Sequence, residues 1–103
     1  MDNQKFIEIC KDQVTKYAIE HMDVTDHKGE SVILNAFVVW SCKTLQNNKA
    51  LLSTDLPDGM YYEITYNGNK DEFYFDAYKK FENRRIACSD IVKGMNENDA
   101  RRI

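Results

Sequence analysis

Residues 61–75, "YYEITYNGNKDEFYF", place six aromatic rings and one Asn-Gly step within fifteen positions. Met60, Tyr62, Ile64 and Tyr66 alternate on one side of the step, and Phe73, Phe75 and Ala77 alternate on the other. A two-residue period flanking Asn67-Gly68 predicts a β-hairpin with one buried face and one outward face. Charge then selects the loop. A two-residue Asn-Gly loop would set Glu63 opposite Glu72, and like charges directly opposed destabilise a strand pair. A four-residue loop, Asn67 to Lys70, sets Ile64 opposite Phe73 and Tyr62 opposite Phe75. The longer loop is therefore expected, with Tyr62, Phe73 and Phe75 in the core and Tyr61 and Tyr74 pointing outward.

Upstream, "LPDGM" (56–60) is a tight turn in which Pro57 presets φ and Gly59 tolerates a positive value. Before it, "FVVWSCKTL" (37–45) and "ALLST" (50–54) flank Gln46-Asn47-Asn48-Lys49 and predict a second hairpin. Alternation along the first of these puts Phe37, Val39 and Leu45 on one face and Val38, Trp40 and Cys42 on the other. Apolar residues on both faces describe a central strand covered on both sides. Either the C-terminal segment or a second copy of the chain must supply the second cover.

Residues 3–22 predict a helix, because Phe6, Ile7, Cys10, Val14, Tyr17, Ala18 and His21 recur at three- and four-residue steps. Asp2 is its expected N-cap, and Asp23, Thr25, Asp26 and Gly29 form a polar loop after it. Beyond the last strand, "AYKKFENRRIA" (77–87) reads as a helix capped by Asp76, with a continued edge strand as the alternative. Asp90–Lys93 adds a short turn, and residues 94–103 read as a polar, mobile tail. The expected fold class is α+β. An N-terminal amphipathic helix packs on a four-stranded antiparallel meander, strands near 36–45, 49–55, 60–66 and 72–78, followed by a short C-terminal helix, all within one domain over residues 1–93.

A chain of 103 residues is near the size at which one core suffices without disulfides or a metal. The opening "MDNQKF" lacks the basic region of a secretory signal, and no apolar run approaches a membrane span. Cys10, Cys42 and Cys88 are odd in number and dispersed, which argues against a disulfide framework or a zinc knuckle. A soluble, cytoplasmic protein is expected. The net charge of −3 is uneven: residues 1–35 hold seven acids against four bases, and residues 81–103 four acids against five bases.

From Phe37 to Phe81, "FVVWSCKTLQNNKALLST", "DGMYYEITYNG" and "FDAYKKFEN" resemble a family of short uncharacterised proteins encoded by phages and prophages of Gram-positive bacteria. The resemblance covers the middle and C-terminal half of the chain plus the amphipathic start. It implies an intracellular, phage-derived accessory protein, and it brings no catalytic residues.

The candidate protein-binding residues are Tyr61, Glu63, Tyr74, Asp76 and Tyr78, with Thr65 and Glu72 beside them, all on the hairpin face that the core pattern does not use. Tyrosines bring rigid area and a hydroxyl to interfaces at low entropic cost; the plainer reading is a solvated or internally covered sheet face. Lys79, Lys80, Arg84 and Arg85 are the alternative, a nucleic-acid-binding patch at helical spacing that would bring Lys80 close to Arg84. His21, His27, Cys10 and Cys42 show no zinc spacing, and Asp23, Asp26 and Glu30 show no calcium-loop spacing. No cofactor, metal or catalytic activity is expected, since no phosphate loop or nucleophile motif occurs and a chain this size leaves little room for a substrate cavity. The expected function is stoichiometric modulation of a bacterial host protein of the defence, replication or transcription machinery, with a homodimer possible and no membrane partner. The alternative is a small nucleic-acid-binding accessory factor.

Overall fold

The computed structural model describes residues 1–22 and 34–101, with side chains described through Met95. His27, Asp23, Asp26 and Glu30 lie outside the described residues. Helix α1 (Asn3–Glu20) precedes strands β1 (Ala36–Thr44), β2 (Asn47–Thr54), β3 (Met60–Asn67) and β4 (Glu72–Lys79), and helix α2 (Cys88–Arg101) follows. The strands form one antiparallel sheet in the order β1-β2-β3-β4. The architecture is the expected α+β meander.

Asp2 caps α1 as its side chain predicts: the Asp2 carboxylate accepts from the Lys5 N–H at 2.8 Å, which satisfies one of the free donors of the first turn. Phe6, Cys10, Val14 and Ala18, four residues apart, are the buried stripe, and the first three cluster with Ala50, Leu52, Tyr62, Ile64 and Tyr66. The core is therefore one helix face against the inner face of the two central strands. Phe73 and Phe75 share that inner face, and Phe6 and Tyr17 reach over them. They are nevertheless half exposed, because β4 is an edge strand and α1 packs mainly over β1 and β2.

The β3–β4 loop has four residues, but its register is moved by one position on each strand. Asn67 pairs with Glu72 as the last rung, so Tyr66 opposes Phe73, Ile64 opposes Phe75 and Tyr62 opposes Ala77. Asn67 closes the loop from the residue before it, its side-chain oxygen accepting from the N–H groups of Asn69 at 3.1 Å and Lys70 at 3.3 Å. Asp71 completes the turn at φ 54° and accepts the Tyr66 hydroxyl proton at 2.7 Å. The first hairpin is tighter than expected. Its loop is Leu45-Gln46, with Leu45 at φ 55°, and Asn47 and Asn48 belong to β2.

β1 is not a central strand. It lies at the sheet edge and carries a bulge: Val38 pairs with Leu52 but Trp40 with Leu51, leaving Val39 as the extra residue. A bulge shifts the two-residue alternation by one. Val38 accordingly faces the helix while Trp40 and Cys42 join Phe37 on the opposite side, which corrects the grouping of Val38 with Trp40 and Cys42. The apolar residues of both faces are real; nothing among the described residues covers the outer set.

The C-terminal helix lies further along than expected. Lys80 N–H donates to the Gly59 carbonyl at 2.8 Å, so pairing carries the chain through Lys79 as a strand. Asp76 is a mid-strand residue and not a helix cap. Residues 80–87 have no regular structure, and α2 occupies the positions read as a turn and tail, with Asp90 in its first turn, where a carboxylate suits the helix dipole.

Candidate functional site: the outer sheet face

Paired residues of an antiparallel sheet share a face, so the register assigns the outer surface row by row. Phe37, Ser53, Tyr61 and Tyr78 form one row. Trp40, Leu51, Glu63 and Asp76 form the next, and Cys42, Lys49, Thr65 and Tyr74 the third. The five residues singled out in the sequence, Tyr61, Glu63, Tyr74, Asp76 and Tyr78, are thus brought together on two adjacent strands. Phe37 and Trp40 extend the surface across β1 and were missed, because only the bulge turns Trp40 outward and nothing in a continuous apolar run marks a bulge.

The face is aromatic and half open. Phe37 is 47% exposed, Trp40 43%, Tyr74 46% and Tyr78 52%. Large contiguous aromatic area of this kind is uncommon on a sheet with no partner. Its rings are held at defined angles by polar neighbours. The Tyr74 hydroxyl donates to Glu72 at 2.7 Å, which raises its pKa above the ordinary phenol value, and the Lys80 ammonium lies 5.7 Å from the Tyr61 ring centroid, within cation–π range.

Charge on the face is negative and incompletely balanced. Glu63 and Asp76 are cross-strand partners, the arrangement that like-charge repulsion disfavours. Lys49 on β2 relieves it from the other side, its ammonium 3.0 Å from the Glu63 carboxylate, and this hydrogen bond and charge hold the Lys49 pKa above its usual value. Asp76 and Glu72 have no cationic partner among the described residues.

The basic cluster is not a helix face. Lys79 ends β4 on the inner side, opposite Met60, Lys80 leans over Tyr61, and Arg84 and Arg85 stand exposed in the irregular segment, Arg84 3.9 Å from Glu82. The spacing that would have stacked Lys80 on Arg84 exists only in a helix, and strand pairing at Lys80 removes it.

A cleft of about 460 Å³ lies on the inner side, between the end of α1 and the β2–β3 link, lined by Tyr17, His21, Asp58, Met60 and Lys79 among others. The chain therefore does accommodate a cavity of substrate size, contrary to the expectation from its length. Its polar groups are engaged locally: His21 Nδ1–H donates to the Tyr17 carbonyl at 2.8 Å, and Asp58 accepts from the Met60 N–H at 3.1 Å. Among the described residues no three His, Cys, Asp or Glu side chains converge as metal ligands, and no helix is long and apolar enough to cross a membrane.

Cys10 is fully buried and free, and burial pushes its thiol up from 9.0 to about 12. It is a packing residue. Cys42 and Cys88 are exposed and free.

Residues 7–88 match a family model described as a family of unknown function (DUF6275). No curated protein and no solved structure matches the chain.

Proposed function

The chain belongs to this family of unknown function, and we propose that it works by stoichiometric binding of another protein through its outer sheet face, without catalysis. One observation carries the reading: Phe37, Trp40, Tyr74 and Tyr78 stand half exposed on the sheet face that no helix among the described residues covers. Rigid aromatic area is what interface centres are enriched in, with charged groups such as these carboxylates at the polar rim. The resemblance of "FVVWSCKTLQNNKALLST" (37–54) to phage and prophage proteins supports a more specific version, a cytoplasmic modulator of a bacterial host protein in the defence, replication or transcription machinery.

The test is affinity capture from bacterial lysate with the wild-type chain and with Tyr61→Ser/Tyr74→Ser as bait, followed by measurement of affinity for the captured protein. The double substitution is expected to leave the fold intact and to weaken binding by about 2 kcal/mol or more. Replacing Lys79, Lys80, Arg84 and Arg85 with Gln is expected to alter mainly the association rate. If instead the Gln variant alone loses binding, and the bound material is nucleic acid released steeply by salt, the basic cluster takes over as the functional surface.

A further inference from the structure

Two surfaces of this chain are uncovered among the described residues, and their properties are opposite in charge and alike in apolarity. The first is the outer sheet face, with Trp40, Tyr74 and Tyr78 half exposed and Asp76 and Glu72 without cations among the described residues. The second is the C-terminal arm, residues 80–95. Phe81 is 97% exposed, and Ile86, Ile91, Val92 and Met95 are about half exposed or more. Among the described residues, neither α1 nor the sheet forms a substantial packed contact with α2.

The arm is basic. Lys80, Arg84, Arg85 and Lys93 stand against Glu82 and Asp90, whereas the outer face carries Glu63, Glu72 and Asp76 against Lys49. A solvated phenylalanine followed three residues on by two arginines is an anchor with the charges that Asp76 and Glu72 lack. The arm leaves β4 at Lys80, on the sheet margin beside Gly59, and the Lys80 ammonium lies over Tyr61 of its own outer face.

We propose that the outer sheet face of one copy is covered by the arm of a second copy, in a reciprocal two-fold exchange. Two-fold symmetry makes each arm and each face count twice, so one chain supplies both halves of the contact. Arg84 and Arg85 compensate Asp76 and Glu72 of the other copy, while Phe81 and the apolar side of α2 lie on its aromatic rows. The inference rests on the outer face being a binding surface, and a heterologous partner must displace the arm to reach it.

Complementary charge reversal in the full chain tests this. Arg84→Glu/Arg85→Glu alters the arm and Glu72→Lys/Asp76→Lys alters the face, all at exposed positions. The wild type is expected to sediment as a dimer at about 100 µM, as for a Kd of ~10 µM or tighter. Each variant alone is expected to self-associate at least about tenfold more weakly, and an equimolar mixture to regain the dimer, because only the mixed pair matches arm to face on both sides. Phe81→Ser is expected to weaken the dimer with an unchanged circular dichroism spectrum. A wild type that is monomeric at that concentration, a dimer indifferent to the arm variants, or a mixture that fails to recover overturns the exchange. A monomeric wild type whose partner binding still depends on Tyr61 and Tyr74 removes the exchange and leaves the binding face standing; an arm-dependent dimer with no tyrosine-dependent partner does the reverse.

Discussion

Replacing Gly68 with alanine sets two effects of opposite sign against each other. Gly68 opens the β3–β4 loop without a positive φ, so in open space alanine would stabilise by about 0.4–1 kcal/mol through the unfolded chain. Space is what is lacking. A Cβ at this position would run into the Gln46 carbonyl oxygen and stand 2.6 Å from Gln46 Cβ and 2.9 Å from its carbonyl carbon. Gln46 lies in the two-residue turn after Leu45, which already sits at φ 55°, so its backbone yields only if the two turns separate. Separation also stretches the 3.1 Å bond from the Gly68 N–H to the Asn47 side-chain oxygen. Overpacking of about 1–3 kcal/mol plus a lost hydrogen bond of about 1 kcal/mol, less the entropic gain, gives a net loss of about 1–3.5 kcal/mol, centred near 2. Urea titration followed by circular dichroism reads this as a midpoint lowered by about 2 M, for m near 1–1.5 kcal/mol/M. Adding Gln46→Gly removes only the side-chain part of the clash, so the double variant is expected to recover less than half. A Gly68→Ala protein as stable as the wild type, or more so, would refute the close approach of the two turns.

Other outcomes follow from the same geometry. Asn48 is 1% exposed with neither side-chain atom bonded, and Asn48→Leu is expected to stabilise by about 1–3 kcal/mol in the same titration. The Cys10 thiol ionises at 9.0 when unfolded and near 12 when folded; its contribution is complete below pH 9 and declines between those values by about 1.4 kcal/mol per pH unit. Cys10→Ala is expected to flatten that alkaline slope, and a thiol reagent should label Cys42 and Cys88 but not Cys10 in the native protein. Tyr62→Ala should cost about 3–5 kcal/mol and Phe75→Ala only about 2 kcal/mol, because Tyr62 is 1% exposed and Phe75 36%; equal losses would mean that α1 covers β4 as fully as β3.

What the sequence made legible was local, and what it concealed came from distant neighbours. Alternation at Tyr62, Ile64 and Tyr66 and the helical spacing of Phe6, Cys10 and Val14 identify the core faces because each repeats within its own element. The loop length after Asn67 was readable from the repulsion between Glu63 and Glu72, yet the rule misjudged the register. It could not anticipate that Lys49, from a third strand, would let Glu63 stand opposite Asp76. The tyrosines of the outer face were readable from parity alone. Trp40 was not, since the bulge at Val39 depends on pairing with Leu51 and leaves no mark in a run of β-branched residues. Residues 77–87 carry helical spacing, but backbone pairing at Met60 and Gly59 claims them as far as Lys80, and α2 starts beyond.

Strand order in this sheet follows chain order, with links of two, five and four residues between neighbours. Every strand pairing can therefore form without closing a long loop, and loop closure is the entropic step that slows β-proteins. Only α1 must find its contacts at long range, as where Tyr17 meets Tyr62 and Phe75. The hairpins are accordingly the expected folding nucleus, with the helix docking after the barrier. Substitutions such as Ile64→Val should slow folding, whereas Val14→Ala should chiefly hasten unfolding. The lifetime of the native state, as distinct from the speed of reaching it, is then set by how firmly α1 holds to the sheet.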